Sequence, residues 1–143
     1  MSDFKTSDDG LLQVSALDAG YGDLQILTDV DMNVDDGEYV TIVGPNGAGK
    51  STVLKSVFGL TTYMDGTIEF RGDEIQGSNP EDIIHLGLSY VPQNGNIFES
   101  LTVRENLEMG AYILDSVPED QIQAVYDRFP ILEERSEQEA GTM

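Results

Sequence analysis

The sequence predicts an α/β fold, and three observations carry that expectation. Short alternating apolar runs occupy residues 11–43. A β-branched run then enters a glycine-rich loop that opens a helix near residue 50. Residues beyond about 96 keep helical periodicity to the end.

Leu12, Val14 and Ala16 form the first alternating run, Val30, Met32 and Val34 the second, and Tyr39 to Val43 the third. Asp35-Asp36-Gly37 separates the last two as a turn, so the segment reads as antiparallel strands. Val40-Thr41-Ile42-Val43 is nearly continuous and β-branched, the pattern of a strand buried on both faces. After Lys50 the period changes. Val53, Leu54, Val57 and Phe58 share one helical face, and Gly59 ends that helix. A strand pair follows, around Thr67 to Phe70 and beyond Gly72.

Asn79-Pro80-Glu81-Asp82 combines an N-cap, a proline at the first helical position and first-turn acids, so a short helix starts there and stops at Gly87. The lone histidine, His85, falls on this helix and is given no catalytic role. Leu88 to Val91 reads as a further strand ending at Pro92-Gln93. Thr102 and Glu105 have the spacing of a capping box, opening a helix through about Tyr112. Pro118 starts another, with Ile122, Val125, Tyr126 and Phe129 on one face and Pro130 closing it.

The loop Gly44-Pro45-Asn46-Gly47-Ala48-Gly49-Lys50-Ser51 matches the phosphate-binding P-loop at every required position. Glycines let successive backbone N–H groups turn inward as an anion nest, and the following helix adds its positive end. Lys50 is placed to reach the β- and γ-phosphates, and the Ser51 hydroxyl to ligate Mg²⁺. The expected ligand is a nucleoside triphosphate. Average residue frequencies put a chance match at roughly one in a hundred or less in a chain this long. None of the three lysines sits in the Asn-Lys-x-Asp segment that guanine sites carry, which favours ATP.

Composition narrows the partners. Lys and Arg number 7 against 27 Asp and Glu, a formal charge of −20 over 143 residues. Phosphate-rich partners would be repelled over most of the surface, so nucleic acid is not expected. The acids are spread along the chain, a pattern that resembles proteins of salt-loving microbes, where concentrated salt screens self-repulsion. With no cysteine, disulfides and thiolate metal sites are excluded. No stretch is apolar enough to cross a bilayer, and Met1 to Lys5 has no secretory pattern.

With these residues placed, the chain resembles the ATP-binding subunits of ABC transporters. Asp36-Gly37-Glu38 leading into Val43 to Thr52 is similar to that family's approach to its P-loop. Tyr90-Val91-Pro92-Gln93 resembles its Q-loop, and Leu101 to Leu107 the opening of its helical subdomain. Within the family, Asn96-Ile97-Phe98 through Met109-Gly110-Ala111-Tyr112 resembles importers of branched-chain amino acids, with urea and amide importers reading alike.

The resemblance implies a P-loop NTPase core of ABC type with an N-terminal antiparallel β-subdomain and the start of a helical subdomain. The implied division is an acidic, flexible N-terminus over 1–10, the nucleotide-binding core over 11–95, and helical subdomain over 96–143. It implies that Tyr21 stacks on adenine, and that Gly44, Asn46, Gly47, Ala48, Gly49, Lys50, Ser51 and Thr52 bind the nucleotide. Gln93 would join Ser51 at Mg²⁺, meet the attacking water, and work with Lys50 in catalysis. The implied partners are ATP, a second ATPase subunit and transmembrane permease subunits. The implied location is the cytoplasmic face of the membrane, held peripherally through the permease.

Several family parts are missing: a Walker B aspartate, the adjoining glutamate base, a switch histidine and the signature. Ala111 to Asp115 imitates a Walker B strand but continues the helix capped at Thr102, and is read as helix. Ala140-Gly141-Thr142-Met143 resembles the residues that lead into the signature, so the expectation is an N-terminal portion truncated before it. A parallel core sheet lacking strands would then expose an edge and apolar surface. Two alternatives stand beside the transport subunit. One is a non-transport ABC protein, although the 42 residues between Lys50 and Gln93 hold no coiled coil or zinc motif. The other is a nucleotide-binding module that never hydrolyses ATP.

Overall fold

The computed structural model describes residues 10–143, so the expected flexible terminus lies outside the described residues except for Gly10. The chain divides between Tyr90 and Val91 into two compact units.

The first unit is built on a four-stranded antiparallel sheet. Its strands are β1 (Leu12–Tyr21), β2 (Leu24–Val34), β3 (Thr62–Phe70) and the short β4 (Asp73–Glu74), in the order β2-β1-β3-β4. Helix α1 (Lys50–Val57) and helix α2 (Pro80–His85) complete it. Val14, Leu17, Ala19, Leu27, Val53, Val57, Ile68, Phe70 and Ile75 form the core between sheet and α1.

The β1 alternation breaks phase midway. Val14 is buried, but Ala16 is exposed, and burial resumes at Leu17 and Ala19. The register shifts between Val14 and Leu17, where Ala16 adopts φ 50°. One extra residue flips every later side chain to the other face, so Ala16 does not share the core face expected of it. Asp29 on β2 repeats the device at φ 52°. The two strands answer each other: the Ala16 N–H donates to Asp31 Oδ1, and the Asp29 N–H to Asp18 Oδ1, both at 2.8 Å. Across β1, Gly66 on β3 has φ 98°, and a Cβ there would lie 2.5 Å from the Ala16 carbonyl oxygen. The bulge therefore requires glycine opposite it.

Two expected strands do not form. Residues 39–43 and 88–91 carry no ladder, and Tyr39 and Val43 are 98% and 83% exposed. A strand exists only through a neighbour's hydrogen bonds, and no described residue pairs with either segment. Leu88 still packs partly on the core, and the Tyr90 ring lies 5.8 Å from Phe58. On α1, Val53 and Val57 are buried but Leu54 is exposed, so the covered face is narrower than its apolar pattern. Asn79 caps α2 by accepting from the Asp82 N–H at 3.1 Å, and His85 is exposed.

The second unit holds α3 (Val103–Met109), α4 (Glu119–Arg128), α5 (Pro130–Glu134) and a 3₁₀ turn at Ala140–Thr142. The capping box is present: Thr102 Oγ1 accepts from the Glu105 N–H at 3.1 Å, and Glu105 Oε2 from the Thr102 N–H at 2.8 Å. Helix α3 ends at Met109, however. Ala111 to Asp115 is neither helix nor strand but a run of turns, with Ala111 N–H bonding to Glu108 O and Leu114 N–H to Ala111 O. Gly110 lowers helix propensity there, and Tyr112 and Leu114 remain exposed, so nothing stabilises another helical turn. Arg104 pairs with Glu108 on its own helix at 2.6 Å and with Glu119 on α4. These two carboxylates raise its guanidinium pKa above the ordinary value.

Leu17 is fully buried at the centre of the sheet core, whereas Leu24 is largely exposed. Leu17→Ala is expected to cost about 2–5 kcal/mol. Leu24→Ala should stay within about 0.5 kcal/mol. Urea unfolding followed by circular dichroism checks both, and similar midpoints for the two variants would contradict this core.

Candidate functional site

The phosphate loop is placed by the two elements on either side of it in space. Leu27 and Ile26 of β2 lie against it, and α1 begins at Lys50 with Gly49 as N-cap. Gly47 and Gly49 adopt φ 85° and 86°, the left-handed region that L side chains rarely enter. Their requirements differ. A Cβ on Gly47 would meet nothing within 4 Å, whereas one on Gly49 would lie 2.9 Å from Leu27 Cδ2. Gly47 is needed for its backbone angle, and Gly49 for the angle and the close approach together.

A tight turn closes the loop, with the Ala48 N–H donating to Pro45 O at 3.2 Å. The first i→i−4 bond of α1 runs from the Val53 N–H to Gly49 O at 3.0 Å. The N–H groups of Lys50, Ser51 and Thr52 precede it, the orphan donors that a helix start presents to an anion. Lys50 folds back over the loop. Its Nζ donates to Gly44 O at 2.6 Å and to Pro45 O at 2.8 Å, which holds the ammonium above the curled backbone. Donors and cation converge, and this arrangement fits a polyphosphate.

Side chains divide cleanly along the first turn of α1. Ser51 is exposed and available to a cation, while Thr52 is buried. Thr52 therefore has its backbone N–H to offer rather than its hydroxyl. Its carbonyl accepts from Ser56 Oγ at 2.7 Å, and Ser56 Oγ also lies 2.8 Å from Thr61 Oγ1, tying α1 to the start of β3. Asn46 is exposed at the tip of the loop. Among the described residues, no group of three or more His, Asp or Glu side chains is placed to hold a metal.

Tyr21 belongs to the same unit and ends β1, 44% exposed. Gln93 lies in the second unit, exposed in an irregular stretch. Of the residues expected to act together, all but Gln93 thus belong to the first unit. Sequence reading missed Lys55, whose Nζ lies 6.0 Å from the centroid of the Tyr21 ring. No local pattern flags it, because the pair joins positions far apart in the chain.

A family model described as ABC transporter matches residues 27–142. The chain is 43% identical over 134 residues to LivF of Archaeoglobus fulgidus, named a probable branched-chain amino acid transport ATP-binding protein, covering 93% of this chain and 57% of that one. It is 40% identical over 134 residues to BraG of Pseudomonas aeruginosa, a high-affinity branched-chain amino acid transport ATP-binding protein, covering 93% and 58%. Among solved structures, the ATP-binding subunit of an ABC transporter matches with a TM-score of 0.68 at 32% identity, over 89% of this chain and 53% of that one. A nucleotide-free ATP-binding cassette from an ABC transporter matches with a TM-score of 0.76 at 24% identity, which speaks for the fold alone. The chain spans somewhat more than half the length of the curated relatives it matches.

The contrast between the glycines is testable. Gly47→Ala should cost about 1–2 kcal/mol, the usual penalty of left-handed backbone on an L residue. Gly49→Ala should cost measurably more, because buried Leu27 must also shift. Equal losses in a denaturant titration would mean that the approach to Leu27 is not a constraint.

Proposed function

The chain belongs to the ABC transporter family, and from that premise we propose that it is the nucleotide-binding part of an importer's ATP-binding subunit. In this reading the full subunit couples ATP binding and hydrolysis to uptake of branched-chain amino acids or a similar small polar solute. The observation that carries it is the Lys50 ammonium held over a left-handed glycine loop at the start of a helix. The names of the LivF and BraG relatives support the substrate class.

Each residue has a part in this reading. The backbone N–H groups of Gly47, Gly49, Lys50 and Ser51 would receive the β-phosphate, with Gly44, Asn46 and Ala48 shaping the curl and Thr52 adding its amide. Lys50 exchanges carbonyl partners for β- and γ-phosphate oxygens. Ser51 would hold Mg²⁺, the role that the family resemblance assigns to Gln93 as well, and the ion would supply positive charge against the phosphoryl oxygens. Gln93 orients the attacking water, and Tyr21 stacks on adenine. A second ATPase subunit completes the site, and permease subunits hold the pair at the cytoplasmic face of the membrane. Among the described residues no helix is long and apolar enough to cross a membrane.

The reading as the N-terminal portion of a longer subunit is supported by the share of the relatives spanned, and by the absence from this sequence of a Walker B pair, signature and switch histidine. It also gives the unladdered segments 39–43 and 88–91 a role, as strands awaiting partners from further chain. Adaptation to concentrated salt is supported by the −20 charge.

Calorimetric titration with MgATP tests the nucleotide reading. Weak binding is expected, lost in Lys50→Ala, with no phosphate release above background. Robust Mg²⁺-dependent turnover by these 143 residues would refute the assignment of the missing base to further chain. The salt reading has its own check. Moving from about 0.1 to about 1 M KCl shortens screening from roughly 10 to 3 Å. That should raise the Tm by about 3 °C or more, on the order of 1 kcal/mol. A flat or falling Tm would count against it.

A further inference from the structure

The end of β1 carries a pairing that phosphate binding alone does not require. Tyr21 pairs with Leu24 across a two-residue turn, in which Gly22 has φ 57° and donates its N–H to Thr62 Oγ1 at 3.0 Å. The backbone under the ring is thereby tied to both neighbouring strands, while the ring itself stays partly exposed. Lys55 approaches from α1, its Nζ 6.0 Å from the ring centroid. That distance is at the limit of a cation–π contact. The partner is telling in this chain. With 27 acidic residues available to three lysines, Lys55 makes no ion pair among the described residues and faces an aromatic ring instead.

We propose that Lys55 is a positioning residue for the nucleobase, holding the Tyr21 ring in the plane on which a purine stacks. The proposal rests on the ATP reading above and deepens it. Its physical content is that one helix sets both ends of the ligand. Lys50 opens α1 at the phosphate loop, and Lys55 follows five residues on, about 7.5 Å further along the axis. The ammonium is attracted to the negative face of the ring and restricts its rotation about χ1. The ring's remaining exposed area is what a base would cover. A lysine acting by charge alone would favour every anionic ligand equally, whereas a lysine acting through the ring favours only ligands that carry a base.

The test uses NMR on the whole chain, with MgATP and inorganic tripolyphosphate as the two probes. In the unsubstituted chain the Lys55 ε-methylene protons should be shifted upfield by the ring current, and Tyr21→Leu should abolish that shift. Lys55→Gln should weaken ATP binding by about two- to five-fold, the size of an exposed cation–π contact. Tripolyphosphate affinity should hold, which also reports an intact loop. Lys55→Arg should restore ATP affinity, and Lys55→Gln should add no further loss in a Tyr21→Leu background. Equal weakening of both ligands, unchanged ATP affinity, or unshifted ε-protons overturns the role of Lys55 alone. If neither probe perturbs the phosphate-loop resonances of the unsubstituted chain, the nucleotide reading fails and the proposal falls with it.

Discussion

The phosphate loop depends on one close approach, that of Gly49 to Leu27. Leu27 is buried in the sheet core, and the space a Cβ would take at Gly49 lies 2.9 Å from its Cδ2. The contact lets β2 lean directly on the backbone of the loop, so the position of α1 is set by the sheet rather than by the loop's own stiffness. Left-handed backbone at Gly47 and Gly49 is then sustained by packing. Val53 and Val57, one and two turns further along α1, fasten the helix to the same core. Phosphate recognition is therefore a consequence of how the hairpin packs, because the orphan donors of α1 point where the core allows the helix to begin.

The acidic residues look different once their partners are known. Asp18 and Asp31 accept from backbone N–H groups at the paired bulges, Asp65 accepts from the Gly66 N–H, and Glu38 accepts from the Asp35 N–H. These carboxylates satisfy backbone donors that a ladder with shifted register or a turn leaves without a carbonyl. Part of the −20 charge thus also serves the β-subdomain as hydrogen-bond acceptors, while Asp31, Glu38 and Asp65 remain exposed to solvent. Exchanging one of these carboxylates for a hydrophobic residue would remove the acceptor of a charge-assisted bond. The same scarcity of cations gives the few that exist distinct work. Lys50 sits over the phosphate loop, Lys55 faces Tyr21, and Arg104 joins α3 to α4.

Much of this was legible in the sequence where the determining interaction is local. The Asn79 cap, the Thr102–Glu105 box, the turn at Asp36-Gly37 and the glycines of the phosphate loop each depend on residues within a few positions of one another. What the sequence hid was set from a distance. Ala16 alternates with Leu12 and Val14 on paper, but the bulge opposite Gly66 moves the core face to Leu17. Leu54 completes an apolar stripe that the core is too narrow to cover. The α3 pattern runs on past Gly110, yet Tyr112 finds no surface to bury against, and the helix ends at Met109. Lys55 became visible only when folding brought it to Tyr21.

The same distinction orders the site itself. Phosphate binding draws on residues 44–52 and the hairpin that supports them, all within one compact unit, so its geometry is complete there. Hydrolysis in the proposed mechanism draws on groups that arrive from elsewhere: Gln93 from the second unit, an acid pair this sequence lacks, and a facing subunit. The extended segments 39–43 and 88–91 obey the same rule. Their β-branched and aromatic residues suit a buried strand, but a strand is a relation between chains of hydrogen-bonding groups rather than a property of one run. Val43, the residue that delivers the chain into the loop, is exposed. The loop's geometry is therefore set within one compact unit by the hairpin that packs on it, whereas turnover in the proposed mechanism draws on groups outside that unit.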